Sequence, residues 1–351
     1  MVFVGLAISY FSPFVHPQSI WWVSFFGLAY PIFFVLSLFL LILSFWRKWR
    51  FRYLYLIILT LGIPIHNRFF AWSWSQDLTE EEQKKSITLM SYNVRLFDWY
   101  NLLPMDKFKT RNLIYNQVRE VAPDVLCFQE YLRDNTSNPF VSTDAIKKLA
   151  NYTNFHEEVI WEVKHRYYGI ATFSKYPIIQ KGVLNDEVNN RLMCIYTDLI
   201  KNKDTIRVYN LHLQSIKLES SEYSLFDDLD LHINKKSSNL ISLIRKVKNA
   251  YPPRVKQVEK ILAHINESPH PVIICGDFND TPISYVYNLF STRFTDAFRK
   301  AYFGLGRTYA GRVPAGRIDY IFHSNRLQTY RFNIQKEVLS DHLAIWATIG
   351  W

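Results

Sequence analysis

Cysteine is scarce in this chain of 351 residues, and its distribution excludes two kinds of site. Cys127, Cys194 and Cys275 are far apart, and each lies inside an apolar run. An odd number of cysteines at such distances provides neither a disulfide framework nor a cysteine-ligated zinc site. We therefore expect all three to be small, buried core residues.

Acidic residues are absent from the first 76 residues of the chain. The basic residues of this region are Arg47, Lys48, Arg50, Arg52 and Arg68. These five account for half of the net charge of +10, so the part from Asp77 onward has an excess of only +5. That excess neither requires nor excludes a nucleic-acid partner, because a nucleic-acid binder is expected to show a continuous basic surface.

Residues 20–46 contain no charged side chain at all. A helix needs about 20 mostly apolar residues to cross a bilayer, and this run exceeds that length. Trp21, Trp22 and Trp46 lie near its ends, where interfacial aromatic residues are expected. A membrane helix tolerates the kink that Pro31 would introduce. The run therefore predicts a transmembrane helix.

The flanking segments extend this prediction to a membrane anchor of about three transmembrane helices over residues 1–74. Residues 2–15 are apolar but short, as expected of a first helix that is truncated, and they lack the basic start of a signal peptide. Residues 53–65 form a third span or a helix that lies at the interface. The basic loop at 46–52 is expected in the cytoplasm. A third span would place the rest of the chain on the outer side, whereas an interfacial helix would leave it in the cytoplasm.

Residues 75–85 are polar and charged and are expected to form a linker, followed by an α/β domain over 86–351. Short apolar runs there predict buried strands at 87–94, 124–130, 169–175, 206–213 and 271–278. Apolar spacing at 253–265 predicts an amphipathic helix. The acidic and then basic stretch at 218–250 predicts an insertion between strands.

Polar residues follow these strands at their carboxyl ends, where α/β folds usually carry their sites. Asn93 and Glu130 end the first two strands, and alternation along 206–213 places Asn210 and His212 on one face. The same alternation would align Asp277 with Asn279 if that segment stays extended. The remaining candidates are Asp319, Asp341 and His342. Each alone has an ordinary explanation, but burying so many carboxylates together requires a cation or hydrogen bonds.

Carboxylate and amide oxygens are the ligands that Mg²⁺ or Mn²⁺ prefers, and the histidines do not cluster as a zinc site requires. Such a cation beside histidines and aspartates suits phosphoryl chemistry, because it neutralises phosphate charge while a carboxylate orients water. The sequence thus predicts a metal-dependent hydrolase of phosphoester bonds.

The motifs SYNVR, FQE, GIATFSKYPI, NLHL, CGDFND, RIDYIF and SDH, in this order, resemble the endonuclease/exonuclease/phosphatase superfamily over about residues 86–351. The resemblance implies a four-layer α-β-β-α sandwich, in which two packed mixed sheets are flanked by helices. The N-terminal block is similar to that of membrane-anchored bacterial members. We therefore expect a bacterial inner membrane location, with the catalytic domain on the periplasmic side.

The resemblance also implies a role for each candidate residue. Glu130 is similar to the principal metal ligand, Asn93 to its amide companion, and Asp341 to a supplementary ligand. Asp277 resembles the carboxylate that positions or activates the attacking water, with Asn279 holding both that carboxylate and a phosphate oxygen. His342 resembles the histidine that contacts the scissile phosphate and is oriented by Asp319. His212, with Asn210 as a phosphate-binding neighbour, resembles the second phosphate-side histidine.

The resemblance leaves the substrate open. We expect nuclease-like activity on a phosphodiester. The alternatives are a membrane-tethered phosphodiesterase or phosphatase acting on lipid headgroups or inositol phosphates, and an inactive binding domain; no protein partner is implied. Arg307, Arg312 and Arg317 could contact a polyanionic substrate or be surface arginines. The 218–250 insertion could be a solvated helix, shape the substrate groove, or rest on the membrane through Lys235, Lys236, Arg245, Lys246 and Lys248.

Overall fold

The computed structural model describes residues 1–186, 192–216, 233–311 and 316–351. The strands in these ranges are β1 Phe70–Trp72, β2 Ser86–Asn93, β3 Val125–Asp134, β4 Asn154–Val163, β5 Arg166–Ser174, β6 Ile178–Asn185, β7 Leu192–Lys201, β8 Asp204–His212, β9 Val272–Asp277, β10 Thr295–Asp296, β11 Phe303–Leu305, β12 Asp319–His323, β13 Gln328–Ile334 and β14 Ile345–Gly350. The helices are α1 Val2–Ser9, α2 Trp21–Leu28, α3 Tyr30–Trp46, α4 Arg52–Leu61, α5 Ile63–His66, α6 Glu80–Lys84, α7 Lys107–Val121, α8 Thr143–Leu149, α9 Ile233–Asn266, α10 Tyr285–Ser291 and α11 Ala297–Ala301.

Two mixed six-stranded sheets form the centre of the described fold, in the orders β13-β14-β2-β3-β5-β4 and β10-β12-β9-β8-β7-β6. Each sheet contains one parallel pair, β2 with β3 and β8 with β9. All five predicted strands of the domain are present, with ends within a few residues of those expected. Because parallel strands end at the same edge, each pair brings its carboxyl-terminal polar residues together.

The two sheets pack face to face around an apolar core. Ile87 and Leu89 of β2 meet Val208 of β8 and Ile273 of β9 between the sheets. On the outer faces, α7 and α8 cover the first sheet, and α9 and α10 cover the second. These four layers confirm the predicted α-β-β-α sandwich. Cys127, Cys194 and Cys275 are buried in these cores, as predicted.

The N-terminal block forms several short helices instead of three long ones. Among the described residues, no helix is by itself long and apolar enough to cross a bilayer; α2 and α3 reach that length together, with a bend of 59° between them. The break falls at Ala29, two residues before Pro31, whose missing N–H and fixed ring suit the first turn of a new helix. The segment 53–65 is likewise divided at Gly62 into α4 and α5.

The N-terminal helices pack against the sandwich. Ile283, in the loop between β9 and α10, lies in one apolar cluster with Leu6, Tyr30, Leu59 and Ile65. The contact is continued by Arg68, which donates a 2.8 Å hydrogen bond to Asn288 of α10.

Two further segments differ from their sequence interpretation. The expected linker at 75–85 contains α6, which begins with a reciprocal capping box between Thr79 and Glu82. Residues 233–250 of the expected insertion form the first half of α9, which continues through Pro252 and Pro253 and contains the predicted helix at 253–265. Residues 218–232 of that insertion lie outside the described ranges.

Candidate active site

The first sheet contributes Asn93 and Glu130 to the site. Asn93 ends β2 and is 1% exposed, while the Glu130 side chain is 35% exposed. Glu130 lies where the register of β3 against β5 shifts between Phe128 and Tyr131, and its φ is 48°. This bulge with left-handed backbone turns the carboxylate towards the edge shared with the second sheet.

The second sheet contributes His212, Asp277 and Asp319. His212 of β8 and Asp319 of β12 are both register partners of Asp277 at the end of β9. The preceding residue, Gly276, has φ 139°, and a Cβ there would lie 1.9 Å from the carbonyl oxygen of Leu211. Only glycine allows this close approach, so it fixes Asp277 beside His212.

The Asp277 carboxylate is the centre of the site. Its Oδ2 atom accepts hydrogen bonds of 3.1 Å from the side-chain amides of Asn93 and Asn279. The Nε2 atoms of His212 and His342 each lie 3.6 Å from the same oxygen. Asp277 is 1% exposed, so nitrogen donors from four segments of the chain replace the water that its charge has lost.

Asn279 contacts Asp277 through a turn, and not through the extended segment expected from the sequence. The segment does not stay extended: Asn279 has φ 53°, so simple alternation does not explain its orientation. Its backbone N–H donates to Asp277 Oδ1 at 2.8 Å, and its side-chain amide also donates to the Leu213 carbonyl at 2.9 Å. The turn therefore ties the end of β9 to the end of β8.

His342 and Asp319 form the expected carboxylate–imidazole pair. His342 Nδ1 lies 3.1 and 3.0 Å from the two carboxylate oxygens of Asp319, and both residues are buried. Burial lowers the pKa of His342, but the charges of Asp319 and Asp277 outweigh it and raise that pKa to about 10. Burial raises the pKa of Asp319, and the nearby His342 partly offsets this rise. The imidazole is therefore a cation at neutral pH.

Two places in the site contain side chains of the type that bind a metal. Within the described ranges, Asp277, Asp319 and His342 form the group of metal-type side chains whose ligand atoms all lie within 4.8 Å of one another. This differs from the predicted set of Glu130, Asn93 and Asp341. However, His342 lies between the two carboxylates, with Nδ1 3.0 Å from Asp319 and Nε2 3.6 Å from Asp277, so a cation there would have to displace the imidazole from them.

Glu130 and Asn93 fit a hard cation better. The Asn93 amide nitrogen lies between Glu130 Oε1, at 3.3 Å, and Asp277 Oδ2, at 3.1 Å. A donor between two carboxylates occupies the place that a shared cation prefers. The Asn93 oxygen accepts the Arg95 N–H at 3.1 Å, so a half-turn of the amide that presents this oxygen to a cation would release that hydrogen bond.

Asp341 lies at the edge of this group, against an arginine that sequence reasoning missed. Its Oδ2 atom lies 3.5 Å from Nη1 of Arg95. Arg95 begins a turn in which four consecutive residues have positive φ, from 41° at Arg95 to 58° at Asp98. Ser340 Oγ donates to the Asn93 carbonyl at 2.9 Å, so the Asp341 segment is attached to the end of β2. Arg95 and Ser340 lie within the motifs SYNVR and SDH, but the sequence alone assigned neither of them a role.

Asn210 has a different environment from the one predicted. It is fully buried between the sheets, where its amide nitrogen donates to the carbonyls of Phe128 and Ala171 and to Thr172 Oγ1. Its oxygen accepts a 2.7 Å hydrogen bond from Gln129. Because every polar atom of this amide has a protein partner, the side chain joins the two sheets and does not face a phosphate.

Arg307, Arg312 and Arg317, the three arginines of the loop before Asp319, differ in their surroundings. Arg317 is fully buried and forms a 2.8 Å ion pair with Asp296, so it is neither a substrate contact nor a surface residue. Arg307 is exposed and donates to the Tyr309 carbonyl at 3.0 Å. Arg312 and the side chains of Lys235 and Lys236 lie outside the described residues.

Solved structures share this fold at low sequence identity. A protein of the endonuclease/exonuclease/phosphatase type from Beutenbergia cavernae is 17% identical, with a TM-score of 0.53 over 76% of this chain and 72% of that chain. One from Bacteroides vulgatus is 17% identical, with a TM-score of 0.54 over 75% and 98%. The human Nocturnin catalytic domain, solved with a bound sulfate anion, is 18% identical, with a TM-score of 0.52 over 76% and 94%.

The sequence itself matches two families. Residues 1–69 match a family described as a domain of unknown function (DUF8431). Comparison with curated proteins gave no match. Residues 90–342, which include all the site residues above, match the Endonuclease/Exonuclease/phosphatase family. The chain therefore belongs to that family, whose members are phosphoester hydrolases that usually depend on a divalent metal.

Proposed function

We propose that the protein is a Mg²⁺- or Mn²⁺-dependent hydrolase of phosphodiester bonds. The observation that carries this proposal is the Asp277 carboxylate, which lies against two amides and two imidazoles beside the partly exposed Glu130. A site with both anionic and cationic groups suits a reaction in which water attacks an already negative phosphate.

The metal would be held by Glu130 and by Asn93 through its oxygen, with Asp341, which follows the Ser340 that bonds the Asn93 carbonyl, as a further ligand. When bound, the cation would neutralise phosphate charge and polarise the scissile P–O bond. Arg95 pairs with Asp341 at the edge of this site. The bulge in β3 fixes the position of the Glu130 carboxylate.

The protein groups supply the remaining chemistry. Asp277 orients the attacking water and accepts its proton, while Asn279 fixes the carboxylate. His342, kept cationic by Asp319, binds a phosphate oxygen and stabilises the charge that develops there. His212 lies on the open side, with its side chain 22% exposed, and can protonate the departing oxygen. Water thus adds to phosphorus, one ester P–O bond breaks, and the released oxygen gains a proton.

We also propose that the N-terminal helices anchor the enzyme in a bacterial inner membrane with the domain on the periplasmic side. Support comes from the apolar α2–α3 pair and from the exposed basic segment that follows it, which includes Arg47, Lys48 and Arg50. A reporter enzyme that works only in the periplasm should be active when it is fused after Trp351. Activity of a cytoplasm-specific reporter at the same point would reject this orientation.

The catalytic proposal is tested with the purified full-length protein and bis-p-nitrophenyl phosphate, a soluble phosphodiester. We expect hydrolysis with Mg²⁺ or Mn²⁺, none after chelation, and a fall of about a hundredfold in kcat for Glu130→Gln or Asp277→Asn. Glu162→Gln, an exposed carboxylate on β4, is the control and should keep full activity. Undiminished activity of Asp277→Asn would reject the site.

A further inference from the structure

A small ribbon of exposed aromatic side chains lies beside the N-terminal helices. This aromatic ribbon consists of β1, its antiparallel partner β11, and Trp74. Alternation along β1 turns Ala71 into the core, where it is 2% exposed, and turns its neighbours outward. The large outward side chains are Trp72, Trp74, Phe303 and Leu305, with exposures of 65, 68, 43 and 68%.

The exposed rings of the ribbon form one continuous surface. Trp74 stacks on Phe303 with ring centroids 4.2 Å apart and planes within 5°. Trp72 lies edge-on to the same ring at 6.0 Å. An apolar patch of this kind on a water-facing surface marks an interaction site, and tryptophan in particular is favoured where a membrane meets water.

The ribbon is continuous with the end of the N-terminal helices that contacts the domain. It begins four residues after α5 ends at His66, and the Gly306 N–H donates to the Phe69 carbonyl at 3.1 Å. The exposed basic segment follows the carboxyl-terminal end of α3, whose 17 residues correspond to about 25 Å. This is short of the ~30 Å of a hydrocarbon core, a length that α2 and α3 reach together. If these helices are inserted, the ribbon lies at one interface and the basic segment at the other.

A second group, where α2 meets α9, also suits a phospholipid surface. Trp21, at the start of α2, lies beneath the ammonium of Lys248 of α9, which is 5.4 Å from the ring centroid. Lys248 and Arg245 are exposed, so α9 presents positive charge next to an interfacial tryptophan. Basic residues in such a position attract anionic headgroups.

Chain segments next to the active-site residues follow the ribbon strand β11 or contact the N-terminal helices. After β11 the chain reaches Thr308, whose Oγ1 accepts the Asp319 N–H at 3.0 Å, and Tyr309, which forms a bridge with His342. After Asn279, Ile283 packs among the N-terminal helices. After His212, the chain borders a cleft of about 300 Å³ against α9, and Ile216 packs with Leu28 of α2.

We infer that the aromatic ribbon is a membrane-interface contact that seats the active-site edge against the headgroup layer, so that the enzyme cleaves phosphoesters carried by the bilayer itself. This inference rests on the proposed function, because it assigns a substrate class to the same site. A soluble nucleic acid is the competing substrate, and it would gain nothing from a ribbon that faces lipid.

The experiment uses full-length protein reconstituted into vesicles of phosphatidylcholine and phosphatidylglycerol, with Mg²⁺. Three substrates are compared: the vesicle lipid, assayed by release of its water-soluble phosphorylated headgroup; bis-p-nitrophenyl phosphate; and plasmid DNA. The test variant is Trp72→Ser with Trp74→Ser. The matched control is Trp161→Ser on β4, a tryptophan that is 49% exposed and belongs to the first six-stranded sheet.

We expect lipid cleavage to fall about tenfold or more in the double variant, with unchanged cleavage of the soluble diester, and no effect of Trp161→Ser on either. Cleavage of the soluble diester without cleavage of the lipid, or equal lipid cleavage by the double variant, would overturn the inference and leave the proposed function intact. Preferential cleavage of DNA would also overturn it. If no substrate is cleaved with Mg²⁺, or with Mn²⁺ in its place, the proposed function itself fails.

A probe of position gives an answer that does not depend on activity. Because Cys127, Cys194 and Cys275 are buried, an environment-sensitive fluorophore can be attached selectively to Phe303→Cys or to Trp161→Cys. We expect headgroup-region quencher lipids to quench the fluorophore at position 303 and not the one at position 161. Equal quenching at both positions, or none at 303, would contradict the membrane contact.

Discussion

Replacing Asp319 by asparagine removes the charge that holds His342 in its cationic form, while it keeps the shape of the side chain. In the structure, both carboxylate oxygens lie within 3.1 Å of His342 Nδ1, and the pair is buried. An amide oxygen can still accept the N–H bond, so the imidazole should keep its orientation. What is lost is the charge assistance of a hydrogen bond worth about 1.5–3 kcal/mol, which corresponds to a fall of about 10- to 150-fold in kcat.

The assay is the initial rate of bis-p-nitrophenyl phosphate hydrolysis at saturating Mg²⁺, with thermal unfolding as the check on folding. Asp124→Asn is the control, because Asp124 also accepts a backbone hydrogen bond, from Thr88 at 3.0 Å, but precedes β3 at the edge opposite Glu130. His342→Asn should cost at least as much as Asp319→Asn, and the double variant should be no worse than His342→Asn, since the two residues act as one unit. A kcat of Asp319→Asn above half that of the wild type, or fully additive losses, would show that Asp319 does not act through His342.

Three further predictions concern residues outside the reacting group. Asn210→Ala should lower the free energy of unfolding by about 3 kcal/mol in chemical denaturation, because it leaves Gln129 and several carbonyls unpaired between the sheets; a loss below ~1 kcal/mol would contradict its structural role. Arg317→Met should lower the free energy of unfolding by about 3–5 kcal/mol, because Asp296 becomes an uncompensated buried charge. Unchanged stability with weaker substrate binding would instead make Arg317 a substrate contact. Burial lowers the pKa of His156 to about 4 in the folded protein. As the pH falls below the ordinary histidine pKa, His156 is therefore protonated in the unfolded chain before it is protonated in the folded one, and the free energy of unfolding decreases. Between pH 7 and pH 5 this amounts to about 2 kcal/mol, which His156→Gln should abolish.

Strand positions and the layer order could be predicted from the sequence because they depend on local patterns. The apolar runs that end in Asn93, Glu130, His212 and Asp277 all became strands, and their parallel pairing brought those residues to one edge. The capping box at Thr79 was also visible in principle, since a threonine followed three residues later by glutamate is a known helix start.

The errors arose where long-range contacts decide the conformation. Phe70–Trp72 is too short to be predicted as a strand, and its partner lies more than 200 residues away. Arg317 has the sequence context of a loop arginine, and only the fold shows that Asp296 binds it in the core. Asn210 has the spacing of a site residue, but its face turns inward between the sheets. The left-handed backbone of Asn279 is likewise imposed by the neighbouring Leu213 and Asp277.

The proposed mechanism requires the catalytic metal to bind at Glu130 and Asn93 and not in the Asp277–Asp319–His342 group, where His342 already contacts both carboxylates. The most direct measurement is the binding of Mn²⁺ to the full-length protein, followed by electron paramagnetic resonance of the free ion. We predict that Glu130→Gln weakens Mn²⁺ binding at least about tenfold and that Asp319→Asn leaves the Mn²⁺ affinity within about twofold of the wild type. Loss of Mn²⁺ binding in Asp319→Asn with unchanged binding in Glu130→Gln would contradict this account.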